Sequence, residues 1–246
     1  MEQVTKEQVW QYWNNNVCDT AKGKGKYGIE YYEAIEHSRI ASLSFMKPTH
    51  YTGKTVLEVG VGSGVDFVQW CKAGADAYGI YLTAAGITHT KEWLKFLHLD
   101  AFASDVKIGD AENLLFKDNT FDLVYSWGVL HHSPDTTKAI KECIRVCRQG
   151  GEIKLMLYHK WSLLWLGAKT LERFNARRFE SPGTKAFSRN YIRKFTNVEV
   201  ISIRTPLNDY DLLSRFNRPL RICAWIANWL MGMNNGFFME ICLRKI

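Results

Sequence analysis

Residues 56–64, Val56-Leu57-Glu58-Val59-Gly60-Val61-Gly62-Ser63-Gly64, constrain this chain more than any other stretch. An aliphatic, β-branched run ends in three glycines spaced by two, and a helix-like segment follows. Glycine adopts backbone angles closed to other residues and lets a ligand lie directly on the main chain. The N–H groups at the following helix start then face that ligand. A dinucleotide fingerprint, G-x-G-x-x-G, would place its third glycine at position 65, which is Val65. Here the third glycine falls at Gly64, and the pattern reads E-x-G-x-G-x-G.

The rest of the chain alternates around that bend. A short amphipathic helix is expected over Thr5–Asn15, with Thr5 as N-cap. A second helix is expected over Tyr31–Phe45, closed by Lys47-Pro48. Between them, Lys22–Gly28 is a basic, glycine-rich loop. Strands are expected at 54–59, 76–81, 102–107, 121–126 and 152–158, and helices at 64–73, 84–97 and 134–148. Strands alternating with helices of this length imply right-handed βαβ units and a parallel sheet. From 160 to 190 the pattern turns helical, aromatic and basic.

At 246 residues, 46% hydrophobic and 23% charged, the composition is that of a globular protein with a core, not a disordered or fibrous chain. No apolar run reaches the roughly 20 residues of a membrane span. The opening Met1-Glu2-Gln3-Val4 has no secretory h-region, so a cytoplasmic location with reduced thiols is expected for its six cysteines. Cys143 and Cys147, four apart on an expected helix, read as buried apolar residues, and no metal site is expected. Residues 151–246 carry 16 Lys and Arg against 7 Asp and Glu, net +9; residues 1–150 carry 16 against 18, net −2. The basic end suggests an anionic partner or a solvated face.

Four further stretches stand in register after the glycine bend: Ile108-Gly109-Asp110-Ala111-Glu112-Asn113, Phe121-Asp122-Leu123-Val124-Tyr125-Ser126, Val129-Leu130-His131-His132 and Arg145–Ile153. In order and spacing, residues 54–159 resemble the class I S-adenosylmethionine-dependent methyltransferases, in the small-molecule, type 11-like branch. The resemblance implies a Rossmann-like, doubly wound α/β fold. Its mostly parallel seven-stranded sheet would be closed by an antiparallel hairpin near 198–204 and 237–244. Residues 1–50 would be an N-terminal helical lid, 51–159 the cofactor-binding core, and 160–246 a helical insert after the fifth strand plus the closing strands. Glu58, Gly60, Gly62 and Gly64 would surround the methionine part of S-adenosyl-L-methionine. Asp110 and Ala111 would meet the adenine. Ser126 and Trp127 would stand where the transferred methyl points.

Position 81 departs from the family pattern, which has an acid there to accept both ribose hydroxyls. Tyr81 offers one phenolic oxygen. Losing one charge-assisted bond costs on the order of 1.5–3 kcal/mol. Weaker binding of the usual cofactor, a modified cofactor, or a cofactor-binding protein with lost or altered catalysis are the open readings. An oxygen or nitrogen acceptor must also lose a proton. His132 is the first candidate base and His131 the second; a structural role for the pair is the alternative. Tyr27, Tyr31 and Tyr32 are candidate substrate-binding residues if the lid closes over the site.

The acceptor is expected to be a small molecule, with a sugar, a lipid or another cell-surface precursor in view. Trp161–Gly167 is apolar and is followed by Arg173, Arg177 and Arg178; Arg215, Arg218 and Arg221 flank a second apolar stretch. Such faces suit a lipid-linked anionic substrate, peripheral membrane contact, or helix packing within one chain or between two copies. Ser181–Lys185 reads as a turn. No recognised RNA-binding module is present, so a nucleic-acid substrate is not expected.

Overall fold

In a computed structural model, the described residues are 4–17, 40–162, 165–167, 169, 181–206 and 236–246. Strands β1 (Thr55–Val59), β2 (Asp76–Tyr81), β3 (Val106–Ile108), β4 (Phe121–Trp127) and β5 (Cys147–Tyr158) lie parallel. Strand β7 (Phe238–Lys245) runs antiparallel between β5 and β6 (Val198–Arg204). The order β3-β2-β1-β4-β5-β7-β6 is the doubly wound sheet with its closing hairpin. Strand order reverses between β1 and β4, and the carboxyl ends there form the crevice where such sheets bind ligands.

Helices cover both faces because every central strand is apolar on both. One face of the sheet packs Val56 and Tyr125 beneath α2 (Ile40–Met46), α3 (Val65–Lys72), which contributes Phe67 and Trp70, and α4 (Ala84–Phe96). The other packs Leu57, Val124, Ile153 and Ile241 beneath α5 (Thr136–Val146), with Ile192 of the short α6 (Arg189–Ile192). Helix α1 (Lys6–Asn15) begins with a capping box: the Thr5 hydroxyl accepts from the Gln8 N–H, and the Gln8 side chain accepts from the Thr5 N–H.

Three boundaries differ from expectation. The third strand is only Val106–Ile108, paired with Gly79–Tyr81, and Asp100–Asp105 forms a 3-10 turn. Aspartates at both ends of that segment favour turn over strand. The helix expected to reach 148 ends at Val146. Cys147 already pairs with Phe121, so β5 starts five residues early, across a register shift that takes up Gly150 and Gly151. Of the second expected helix, Ile40–Met46 is described, and it stops before Pro48 as anticipated. The remainder of that helix, the Lys22–Gly28 loop, Tyr27, Tyr31, Tyr32, residues 163–164, 168 and 170–180 of the insert, and Arg215–Arg221 lie outside the described residues. Cys143 and Cys147 are both fully buried, and burial pushes the Cys147 thiol up to about 12.

Lys154 joins α2 to the sheet. It is buried, and its ammonium donates to the carbonyls of Phe45 and Met46 at the helix C-terminus, 3.3 and 3.0 Å away. Burial lowers its pKa against the pull of Glu152. Among the described residues, no helix is long and apolar enough to cross a membrane.

Candidate active site

A cavity opens at the carboxyl ends of β1, β2 and β4. Its floor is the glycine bend. Gly60, Gly62 and Gly64 have φ of +92°, +55° and +84°, angles an L-side chain adopts only with strain. A Cβ at Gly60 would meet the Val129 side chain at 2.3 Å, and one at Gly64 would meet Thr90 at 2.9 Å. The loop is tied on its outer side. The N–H groups of Gly60 and Val61 both donate to the Ile80 carbonyl, at 2.8 and 3.1 Å. The Ser63 carbonyl lies 3.1 Å from His89 Nδ1; a carbonyl only accepts, so that nitrogen carries the proton. Gly64 is the N-cap of α3, so the helix start opens onto the cavity.

Two buried carboxylates stand over this floor. Glu58, 3% exposed, accepts from Trp70 Nε1 at 2.9 Å. Asp66, in the first turn of α3, accepts from the Ser42 hydroxyl at 3.0 Å and the Tyr125 hydroxyl at 2.9 Å. Asp66 escaped notice in the sequence, where one aspartate after a glycine loop carries no signal of its own. Both carboxylates line the cavity and suit a ligand ammonium group.

Tyr81 closes the β2 side. It is almost fully buried, and its ring lies flat over Gly86, where a Cβ would sit 2.3 Å from a ring carbon. Opposite it, Asp110 and Ala111 follow β3. Asp110 Oδ1 accepts from the Glu112 N–H at 2.9 Å, while Oδ2 pairs with Lys6 from α1. Lys6 also pairs with Glu112 at 3.0 Å, and Glu112 accepts from the Asp135 N–H at the start of α5. Val9 and Trp13 join Lys6 on the wall, so α1 roofs the cavity.

The expected methyl side divides in two. Trp127 lines the cavity and packs against Phe45 and Phe238, ring centres 5.9 Å apart in each case. Ser126 stands behind that wall, its hydroxyl donating to the Val59 carbonyl at 2.8 Å and locking β4 to β1. His132 lines the cavity, with Trp13 set edge-on 5.0 Å away. Its Nδ1 lies 2.8 Å from Ser181 Oγ and 3.0 Å from Thr184 Oγ1. Burial lowers its pKa to about 3, against an opposing bond to the Gly128 carbonyl, so the imidazole is neutral. His131, the second candidate base, is fully buried behind the wall. Its ring stacks on Tyr158 at 3.9 Å, and neither ring nitrogen has a hydrogen-bond partner among the described residues. Burial, then neighbouring His132, pushes its pKa far below the usual range. A ring so enclosed cannot reach an acceptor and packs the core.

Comparison with known proteins places this geometry. The methyltransferase domain family matches residues 57–155. Norajmaline N-methyltransferase of Rauvolfia serpentina is 34% identical over 132 residues, 51% of this chain and 41% of that protein. Phosphatidylethanolamine N-methyltransferase of Cereibacter sphaeroides is 31% identical over 104 residues, 42% of this chain and 50% of that protein. The chain thus spans half or less of these curated relatives. Geranyl diphosphate C-methyltransferase of Streptomyces coelicolor, crystallised with Mg2+, geranyl diphosphate and S-adenosyl-L-homocysteine, superposes over 100% of both chains with a TM-score of 0.65 and 17% identity. The [4+2]-cyclase SpnF superposes over 98% of this chain and 96% of its own at 0.62, with 14% identity, so the fold by itself does not specify the reaction.

Residues 57–155 match the methyltransferase domain family, and the fold superposes on that of a crystallised methyltransferase. The S-adenosyl-L-homocysteine bound to the geranyl diphosphate enzyme is the demethylated form of the group that such a domain would hold. The strained glycine floor, the two buried carboxylates and the aromatic wall fit that group.

Proposed function

We propose that this protein transfers a methyl group from S-adenosyl-L-methionine to an oxygen or nitrogen of a small organic acceptor. The observation that carries the reading is the meeting, in one cavity, of the positive-φ glycines Gly60 and Gly62, two buried carboxylates and a neutral histidine on the far rim, with Gly64 capping α3 behind the wall. Bound S-adenosyl-L-methionine supplies a methyl group activated by its sulfonium. The glycine bend and the start of α3 would hold the methionine carboxylate, and Glu58 and Asp66 its ammonium. Asp110 and Ala111 would meet the adenine, with Lys6 neutralising the second oxygen of Asp110. Tyr81 would cover the ribose side with its ring, supplying one hydroxyl in place of a carboxylate. Trp127 and Trp13 would exclude water around the reacting centre, and His132 would take the acceptor's proton.

Methyl transfer is an in-line displacement, so much of the rate comes from positioning, and the proton-taking group adds to it. A neutral imidazole is already in the form a base requires. Its depressed pKa makes it a weak base, suited to an acceptor that loses its proton as the bond to carbon forms.

The test is calorimetric titration with S-adenosyl-L-methionine and S-adenosyl-L-homocysteine, followed by transfer of a labelled methyl across a panel of small alcohols, phenols and amines. Binding of both with transfer to at least one acceptor class is expected. Binding of neither overturns the cofactor reading. Binding without transfer to any class turns the reading toward a cofactor-binding protein, for which Tyr81 is the motivating feature.

A further inference from the structure

Segment 181–185 lies fifty residues beyond His132 in sequence, yet it contacts that histidine directly. Ser181 Oγ and Thr184 Oγ1 approach the same ring nitrogen, Nδ1, at 2.8 and 3.0 Å, and each other at 3.2 Å. Ser181 is 5% exposed, and its hydroxyl is turned inward. The next residue reinforces the contact. The Lys185 N–H donates to the His131 carbonyl at 3.0 Å, and its ammonium donates to the carbonyls of Ser133 and Pro134 at 3.0 and 2.6 Å. The 128–134 turn is therefore gripped on its side chain and on its backbone by a segment from another part of the chain.

The protons can be counted around Nδ1. The Thr184 hydroxyl donates to the Ser181 carbonyl at 2.7 Å, so its oxygen can only accept from the histidine. If Nδ1 carries a proton, it has two hydroxyl oxygens to receive it, and the Ser181 hydroxyl is left to donate to Thr184. If Nδ1 is bare, the Ser181 hydroxyl donates to it and no proton stands between it and the Thr184 oxygen at 3.0 Å. The Gly128 carbonyl also accepts from this ring and can only accept, so the contacts of the ring together favour one tautomer.

We propose that Ser181 and Thr184 are positioning residues: they hold His132 in one tautomer and fix its ring for proton transfer. This rests on the reading that His132 serves the acceptor. The same segment couples the base to the roof. Gly183, at φ +76°, lies under Val4, where a Cβ would meet the valine side chain at 3.1 Å. Trp13 of α1 meets the His132 ring from the other side. A side chain at Gly183 would push on the segment leading into α1, so the base and its cover are seated by one turn.

Nitrogen NMR of the full chain, with 15N-labelled histidine and the His132 signal assigned by His132→Gln, tests this without an acceptor. The wild type should show a single His132 tautomer, unchanged between pH 8 and pH 5. Ser181→Ala/Thr184→Val should raise the share of the other tautomer about fivefold, the effect of one hydrogen bond. Thr184→Ser, which keeps the hydroxyl, should give the wild-type spectrum. Thr184→Val alone, at a half-buried position, gives the same readout if the double variant does not fold. A wild-type mixture of tautomers, or a spectrum indifferent to loss of the hydroxyls, overturns the proposal. Calorimetry with S-adenosyl-L-homocysteine on the same samples separates the outcomes: an altered ring with intact binding bears on the clamp, and lost binding in the wild type bears on the cofactor reading.

Discussion

The floor and the rim of the cavity are built by opposite means. The floor is one continuous stretch, Glu58 to Asp66, whose ligand-facing groups are chiefly backbone, shaped by three glycines that no other residue replaces without strain. The rim is assembled from residues 4–13, 128–134 and 181–185, and side-chain hydrogen bonds and ring contacts fix it. A backbone device depends on local sequence and tolerates little change. A side-chain device draws on distant segments and can be retuned one residue at a time. This matches a shared cofactor at the floor and a family-variable acceptor at the rim.

The sharpest way to break the contrast is at the rim. His132→Gln should lower methyl transfer by about 10²–10⁴-fold, the usual contribution of a proton-transfer group, while S-adenosyl-L-homocysteine affinity by calorimetry stays within about twofold. Equal loss of both would mean that rim and floor are one site. Gly60→Ala should do the reverse. Its Cβ would overlap Val129 and occupy a positive φ, so cofactor affinity should fall about tenfold or more and stability by ~1–3 kcal/mol. Gly53→Ala, also at positive φ but with open space around it, is the control and should leave affinity unchanged.

Acid should distinguish the two adjacent histidines. Both have pKa values lowered by burial, so the unfolded chain takes up protons that the folded chain refuses. The folded state is therefore unpenalised above the unfolded value near 6.5. It loses stability as pH falls below that toward about 3 for His132, at up to about 1.4 kcal/mol per pH unit per histidine. His131→Phe, which replaces an imidazole lacking polar partners, should shrink the drop in melting temperature between pH 7 and pH 5; an unchanged drop would contradict the burial argument. The smallest effect belongs to the roof. Lys6 is partly exposed, and Lys6→Met should cost only about 0.5–1 kcal/mol in thermal unfolding.

The same contrast explains what could be read beforehand. The glycine bend and the alternation of strands and helices are written in local spacing, the doubly wound order and the hairpin at 198–204 followed from the family resemblance, and β1, β2, β4 and α4 lie within two residues of expectation. Strand β3 and the start of β5 were missed because strand pairing, not local pattern, sets their limits: only three residues of β3 find partners on β2, and Cys147 is drawn into β5 by Phe121. Neighbouring histidines with the same sequence environment separated into a cavity wall and a packed core, which depends on tertiary depth. Ser181 and Thr184 read only as turn residues, because what gives them a role is a histidine fifty positions away.

The most direct test of the account is a crystal structure with S-adenosyl-L-homocysteine. Its methionine end should lie on Gly60–Gly64 with its sulfur turned toward Trp127 and His132. A ligand bound elsewhere, or one whose sulfur faces away from His132, would contradict it.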